Sequence, residues 1–152
     1  MVVEVTEDNI YEAAKIHSES WKESHKGFCS KEFVKAHTVE RQLQYLRNEI
    51  KDGKVIYMLI DSIPVGIVSV KDSLIENLYV LPNEQGKGYG TELLKFAINK
   101  CNNIPSLWIL NNNEKAYKMY NKHGFIKTGK ENILSDELSE IEMKLLRKGA
   151  IK

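Results

Sequence analysis

Leu78-Tyr79-Val80-Leu81-Pro82-Asn83-Glu84-Gln85-Gly86-Lys87-Gly88-Tyr89-Gly90-Thr91-Glu92-Leu93-Leu94 is the stretch from which the rest of the chain is read. It runs from an apolar strand, stopped by Pro82, through a glycine-rich loop into a helix. Leu93, Leu94, Ala97, Ile98 and Cys101 form the buried face of that helix, and Glu92, Lys95 and Asn99 face out. A loop that opens a helix is an anion site, because the first N–H groups lack intrahelical partners and the helix dipole favours negative charge. Glycines let the backbone approach a phosphate closely. Gly86, Gly88 and Gly90 give G-x-G-x-G. That is neither the G-x-G-x-x-G of dinucleotide folds nor the G-x-x-x-x-G-K-[ST] of nucleotide phosphate loops. The segment predicts a pyrophosphate cradle of another kind, with an ordinary turn of three glycines as the alternative.

Upstream, Val55–Ile60, Val65–Val70 and Leu74–Leu81 are apolar runs with short turns between them, which predicts an antiparallel meander. Before it, Val2–Val5 reads as a short strand and Thr6 as the cap of a helix carrying Ile10, Ala13, Ala14, His17 and Trp21. Ser30 is expected to cap a short turn through Val34. Thr38 is expected to cap a helix with the stripe Val39, Leu43, Leu46 and Ile50. Downstream, Leu107–Leu110 predicts a buried strand, Asn113–His123 a helix closed by Gly124, and Phe125–Thr128 and Glu140–Leu146 the last strands. The reading is a single α+β domain over residues 1–147 with a mixed sheet, and a short tail at 148–152.

The chain has 152 residues and a net charge of +1, with 42% hydrophobic and 28% charged residues. This is the balance of a globular domain. It argues against nucleic acid as a partner, which asks for a markedly basic surface. No apolar run reaches the length of a membrane span, and the first residues do not resemble a secretory signal. Cys29 and Cys101 match no zinc or redox spacing, so no metal is expected and a cytoplasmic setting is. Cys101 is expected to be a core thiol.

The opening stretch closely resembles the acetyl-CoA motif of the GNAT superfamily of N-acetyltransferases. Its core, Gln/Arg-x-x-Gly-x-Gly/Ala, is met by Gln85, Gly88 and Gly90. Asn113-x-x-Ala116-x-x-x-Tyr120-x-x-x-Gly124-Phe125 resembles the second half of the family pattern, and the element order agrees over essentially the whole chain. The resemblance implies about seven strands, helices on both faces, and a V-shaped splay between the fourth and fifth strands. Acetyl-CoA would be the cosubstrate. Its pantetheine arm would pair with Leu78, Tyr79 and Val80, the Val80 N–H would face the acetyl oxygen, and Asn113 would bond the arm. Gln85, Gly86, Lys87, Gly88, Tyr89, Gly90 and Thr91 would hold the pyrophosphate. Lys87, Lys115, Lys118 or Lys122 would meet the 3′-phosphate unless these lysines form only a solvated face. The implied reaction is direct acetyl transfer to a primary amine of a small molecule or peptide, by a monomer or homodimer. The alternative is a catalytically silent acyl-CoA-binding module.

Two residues are candidates for proton transfer. Glu76 resembles the strand glutamate used as base in polyamine-type members. Period two places it on one face with Leu78 and Val80, with Asn77 and Tyr79 opposite. Other members carry their glutamate two residues earlier, where this chain has Leu74, so a water relay is the competing route. Tyr120 matches the family's general acid. It is expected to share a face with Asn113, Ala116 and Tyr117, where packing is its other role. The acceptor wall is expected from Trp21, His25 and Phe28, with Trp21 and His25 four residues apart on one helical face; the other reading makes Trp21 a core residue and His25 a surface one.

Overall fold

A computed structural model describes residues 1–27 and 29–146. Phe28, the domain boundary at 147 and the tail at 148–152 lie outside the described residues. The order is β1 (Val2–Glu4), α1 (Ile10–His25), α2 (Lys31–Lys35), α3 (Val39–Lys51), β2 (Val55–Asp61), β3 (Ile63–Lys71), β4 (Leu74–Val80), a 3-10 turn (Pro82–Glu84), α4 (Tyr89–Lys100), β5 (Ser106–Leu110), α5 (Glu114–Lys122), β6 (Phe125–Ile133) and β7 (Ser139–Leu145). The strands form one seven-stranded sheet in the order β1-β2-β3-β4-β5-β7-β6.

Ser30 and Thr38 cap as expected: their hydroxyls accept from the N–H groups of Phe33 and Arg41. Thr6 does not. Its N–H donates to Asn9 Oδ1 at 2.8 Å, closing a turn, and Asn9 is the residue before α1. β6 runs past Thr128 to Ile133, because a register shift between Lys127 and Glu131, with Gly129 at φ +93°, lets the ladder with β7 resume.

Apolar side chains from both sheet faces build two cores. Leu93, Leu94 and Ala97 of α4 close on Val68, Val70, Leu107 and Met143 on one side. Ala13, Ala14 and Ile16 of α1 and Leu46 of α3 close on Ile56, Met58 and Ile67 on the other. Cys101 is 3% exposed, and its thiol donates to the Ala97 carbonyl, so it is a core residue.

What positions the site is the middle of the sheet. β1 to β4 pair antiparallel, whereas β4 and β5 are parallel and matched only at Leu74 and Ser106. Beyond that point they diverge, and a V-shaped cleft opens between them toward Val80 and Leu110.

Candidate active site

The cleft encloses about 760 Å³. On one side of the sheet it is lined by the loop after β4 and the start of α5; on the other it reaches Ser20, Glu23 and His25 of α1. Its floor is the edge of β4. The Leu81 N–H donates to Val65 on β3 at 2.8 Å. By the alternation of an antiparallel ladder, the preceding Val80 turns its N–H and C=O away from β3, into the cleft. The Val80 carbonyl accepts from Ser20 Oγ at 3.1 Å and from Gln85 Nε2 at 3.2 Å.

The loop has the geometry its glycines predict. Gly86 and Gly88 sit at φ +81° and +90°, a region that residues with a Cβ rarely enter, and Gly88 caps α4. A Cβ built at either position meets nothing within 4 Å, so the space before the loop is open. The N–H groups of Tyr89, Gly90 and Thr91 belong to the first turn of a 12-residue helix and lack intrahelical partners. Tyr89 Oη donates to Asp61 Oδ2 at 2.5 Å, tying the helix start to β2. Of the four candidate lysines, Lys115 lines the cleft and donates to Gln85 Oε1 at 3.1 Å. Lys87 is paired with Glu84 at 2.9 Å.

Asn113 opens α5, its Oδ1 accepting from the Ala116 N–H at 3.1 Å. Asn113, Ala116 and Tyr120 line the cleft together. Tyr117 does not join them: it lies under the Lys127 ammonium, 4.7 Å away, and Met119 lines the cleft instead. Tyr120 packs edge-on against Phe125 with ring centroids 5.9 Å apart. Burial pushes its phenol well above the ordinary value of 10, which keeps the proton on the oxygen. Packing and a cleft-lining position are thus both true of this side chain.

Glu76 lines the cleft, but not on the expected face. The β3–β4 register pairs Gly66 with Val80 and Ile67 with Tyr79, then Ser69 with Glu76. One extra residue therefore sits in β4 between Glu76 and Tyr79. Asn77 carries the irregularity at φ +53°. The bulge reverses the alternation, so Glu76 shares the α1–α3 face with Tyr79, opposite Val80. There Lys54 reaches both Glu76 and Glu49, at 2.6 and 2.5 Å. Burial works against the Lys54 charge, but hydrogen bonds and attraction from the two carboxylates outweigh it and raise the pKa. Asn77 Nδ2 donates to Ser69 Oγ at 3.2 Å and to Tyr45 Oη at 3.4 Å, and Tyr45 donates to Glu49 at 2.8 Å.

Trp21 and His25 stack as spacing four predicts, with centroids 3.9 Å apart. The other face of Trp21 carries His37, 3.5 Å away and nearly parallel. With an imidazole on each face, the indole cannot serve as a stacking platform for an ammonium or aryl group; its role is to rivet α1 to the α2–α3 connection. His37, Asn77, Lys54 and Trp108 are site residues that sequence reading misses. Only Asn77 carries any signal, as a residue type enriched at positive φ. The others are brought in by pairing and helix docking.

A parallel pair opened into a cleft, flanked by a glycine-bearing helix start and a capped helix, defines a protein built to hold an extended, phosphate-bearing ligand between its halves. The chain belongs to the GNAT acetyltransferase family: the profile of the acetyltransferase (GNAT) domain matches residues 9–147. An uncharacterised N-acetyltransferase of Archaeoglobus fulgidus is 27% identical over 113 residues, covering 64% of this chain and 76% of that protein. Among solved structures, the PaiA N-acetyltransferase of Thermoplasma acidophilum in complex with coenzyme A superposes with a TM-score of 0.70 at 19% identity, covering 95% of this chain and 98% of the other. YncA of Salmonella typhimurium, a putative acetyltransferase solved with acetyl-CoA, gives 0.69 at 16% identity, covering 95% and 92%. At these identities the likeness is one of fold. Among the described residues, no group of three or more His, Cys, Asp or Glu could hold a metal ion, and no helix is long and apolar enough to cross a membrane.

Proposed function

We propose that this protein transfers an acetyl group from acetyl-CoA directly to a primary amine of a small molecule or peptide, both substrates being bound together. The observation that carries the reading is the β4 edge: Val80 turns an N–H into a cleft between the glycine loop and Tyr120. The pantetheine arm lies along Leu78, Tyr79 and Val80 as an added strand, with Asn113 bonding it from α5. The N–H groups from Gln85 to Thr91 receive the pyrophosphate and Lys115 the 3′-phosphate. The Val80 N–H then stabilises the oxyanion that develops on the acetyl carbonyl.

The amine nitrogen attacks that carbonyl carbon, the C–N bond forms, and the C–S bond breaks. Three proton transfers accompany this. The ammonium first gives up a proton: an alkyl amine with pKa ~10.4 is neutral about once in 2,500 molecules at pH 7, a cost of roughly 4.6 kcal/mol. Glu76 or a water it orders takes this proton. After attack the nitrogen is cationic and gives up a second proton, while Tyr120 donates its own to the departing thiolate. That second proton, passed through water, returns Tyr120 to its phenol form, leaving a neutral amide and free coenzyme A thiol. Cys101 is buried in the core, and no cysteine is given a covalent acetyl intermediate in this scheme.

Release of free thiol from acetyl-CoA across a panel of amines tests the reading. Turnover with one amine class supports it. Tight acetyl-CoA binding with silence across the whole panel would favour the acyl-CoA-binding module.

A further inference from the structure

A second cavity of about 300 Å³ lies on the α1–α3 side of β4, among His17, Trp21, Arg41, Tyr45, Asn77 and Tyr79. It meets the main cleft at the bulge: Asn77 and Tyr79 line both. The size is at the low end for a small-molecule site. Its walls are mostly aromatic, and the edge of Trp21, not its covered faces, is what this cavity meets.

The charges around the two cavities are unequally matched. Each carboxylate that lines them already has a lysine: Glu23 pairs with Lys26 at 2.8 Å, Glu76 with Lys54 at 2.6 Å, and Glu84 with Lys87 at 2.9 Å. The guanidinium of Arg41 has no ion pair or hydrogen bond among the described residues. His17, beside it, is 4% exposed, and burial lowers its pKa to about 4, so it is neutral at physiological pH. Lys54 is shared with Glu49, which lines neither cavity; every carboxylate that does line them is ion-paired, whereas the Arg41 guanidinium has no partner among the described residues. A polycation would find no free carboxylate there, whereas an anion finds the fork geometry that a guanidinium presents to carboxylates.

We propose that this cavity seats the body of the acceptor and that the acceptor is a small amino carboxylate, with Arg41 as the residue that selects it. The carboxylate pairs with Arg41, an apolar or aromatic side chain lies against Tyr45 and Tyr79, and the amine passes Asn77 into the cleft beside Glu76. The proposal rests on the acetyltransferase reading and narrows its acceptor.

Matched acceptors that differ only in the carboxylate test it: L-phenylalanine against 2-phenylethylamine, L-leucine against 3-methylbutylamine, and 5-aminopentanoate against pentylamine. In at least one pair the wild-type enzyme is expected to favour the carboxylate partner at least tenfold in kcat/KM. Arg41→Gln is expected to raise KM for that partner about tenfold or more, leaving the simple amine and acetyl-CoA unaffected, and Arg41→Lys to restore part of the preference. Equal use of both partners in every pair, or a preference that survives in Arg41→Gln, overturns the assignment. Binding is read separately by saturation-transfer NMR of the same six compounds on the acetyl-CoA-bound protein. If no amine is acetylated, the transferase reading fails; carboxylate binding lost in Arg41→Gln would still uphold the pocket, and no carboxylate binding to wild type would overturn it.

Discussion

Tyr120 is held where two demands coincide. Its ring fills the core beside Phe125, and its burial keeps the phenol protonated, the state a general acid needs. Tyr120→Phe preserves the ring packing and removes only the hydroxyl that would supply the proton. The expected result is a folded protein with unchanged acetyl-CoA affinity and a kcat lower by roughly 10²-fold or more. Near-wild-type turnover, with chemistry shown to be rate-limiting, would remove Tyr120 from the mechanism. His17 offers a test of a different kind. Burial lowers its pKa from 6.5 to about 4. Below pH 6.5 the unfolded chain takes up a proton that the folded chain refuses, so this group costs stability as pH falls from about 6.5 to about 4. The full loss is about 3 kcal/mol. Urea denaturation across that range should show wild type losing more stability than His17→Leu by about this amount. Parallel pH curves for the two proteins would show that His17 accepts its proton in the fold.

Two elements carry the cofactor reading, the glycine loop and the bulged strand. Gly88 stands at φ +90° with open space where a side chain would point. Gly88→Val thus suffers twice: the backbone conformation is strained for a β-branched residue, and the branches occupy the ground that the pyrophosphate needs. Calorimetry should find acetyl-CoA affinity lowered about tenfold or more in a folded variant; unchanged affinity would take the loop out of the site. This loop is fully written in local sequence, since glycine spacing and a following amphipathic helix need no partner to be recognised. β4 is different. Strict period two puts Glu76 with Val80, and the bulge at Asn77 puts it with Tyr79. Beyond an asparagine at 77, a residue type enriched at positive φ, Leu74–Val80 does not announce the extra residue, because a bulge is a relation between two strands.

At the scale of the whole molecule, acetyl-CoA would add the contacts that β4 and β5 do not make with each other. Binding only the folded form at a hundred times its Kd adds about 2.7 kcal/mol. For a chain of this size, that means a rise in Tm of roughly 5–10 °C. Hydrogen exchange should slow at the Val80 amide, which turns into the cleft, as well as in the loop before α4. A higher Tm with unaltered exchange at Val80 would mean that the cofactor binds without adding to the β4 edge.

The sequence alone determined the order of the elements, the caps at Ser30 and Thr38, the core thiol at Cys101, and the family through its two motifs. Each is local: a periodicity, a cap or a glycine spacing acts within a few residues of itself. What only the tertiary structure decided lies between distant segments. Lys54 meets Glu76 across 22 positions of chain, two imidazoles close on Trp21 from α1 and from beyond α2, and Arg41 stands beside a small aromatic cavity with no partner among the described residues. Such pairings follow from strand register and helix docking, which the whole core sets at once, and a one-residue bulge is enough to change which charges face one another.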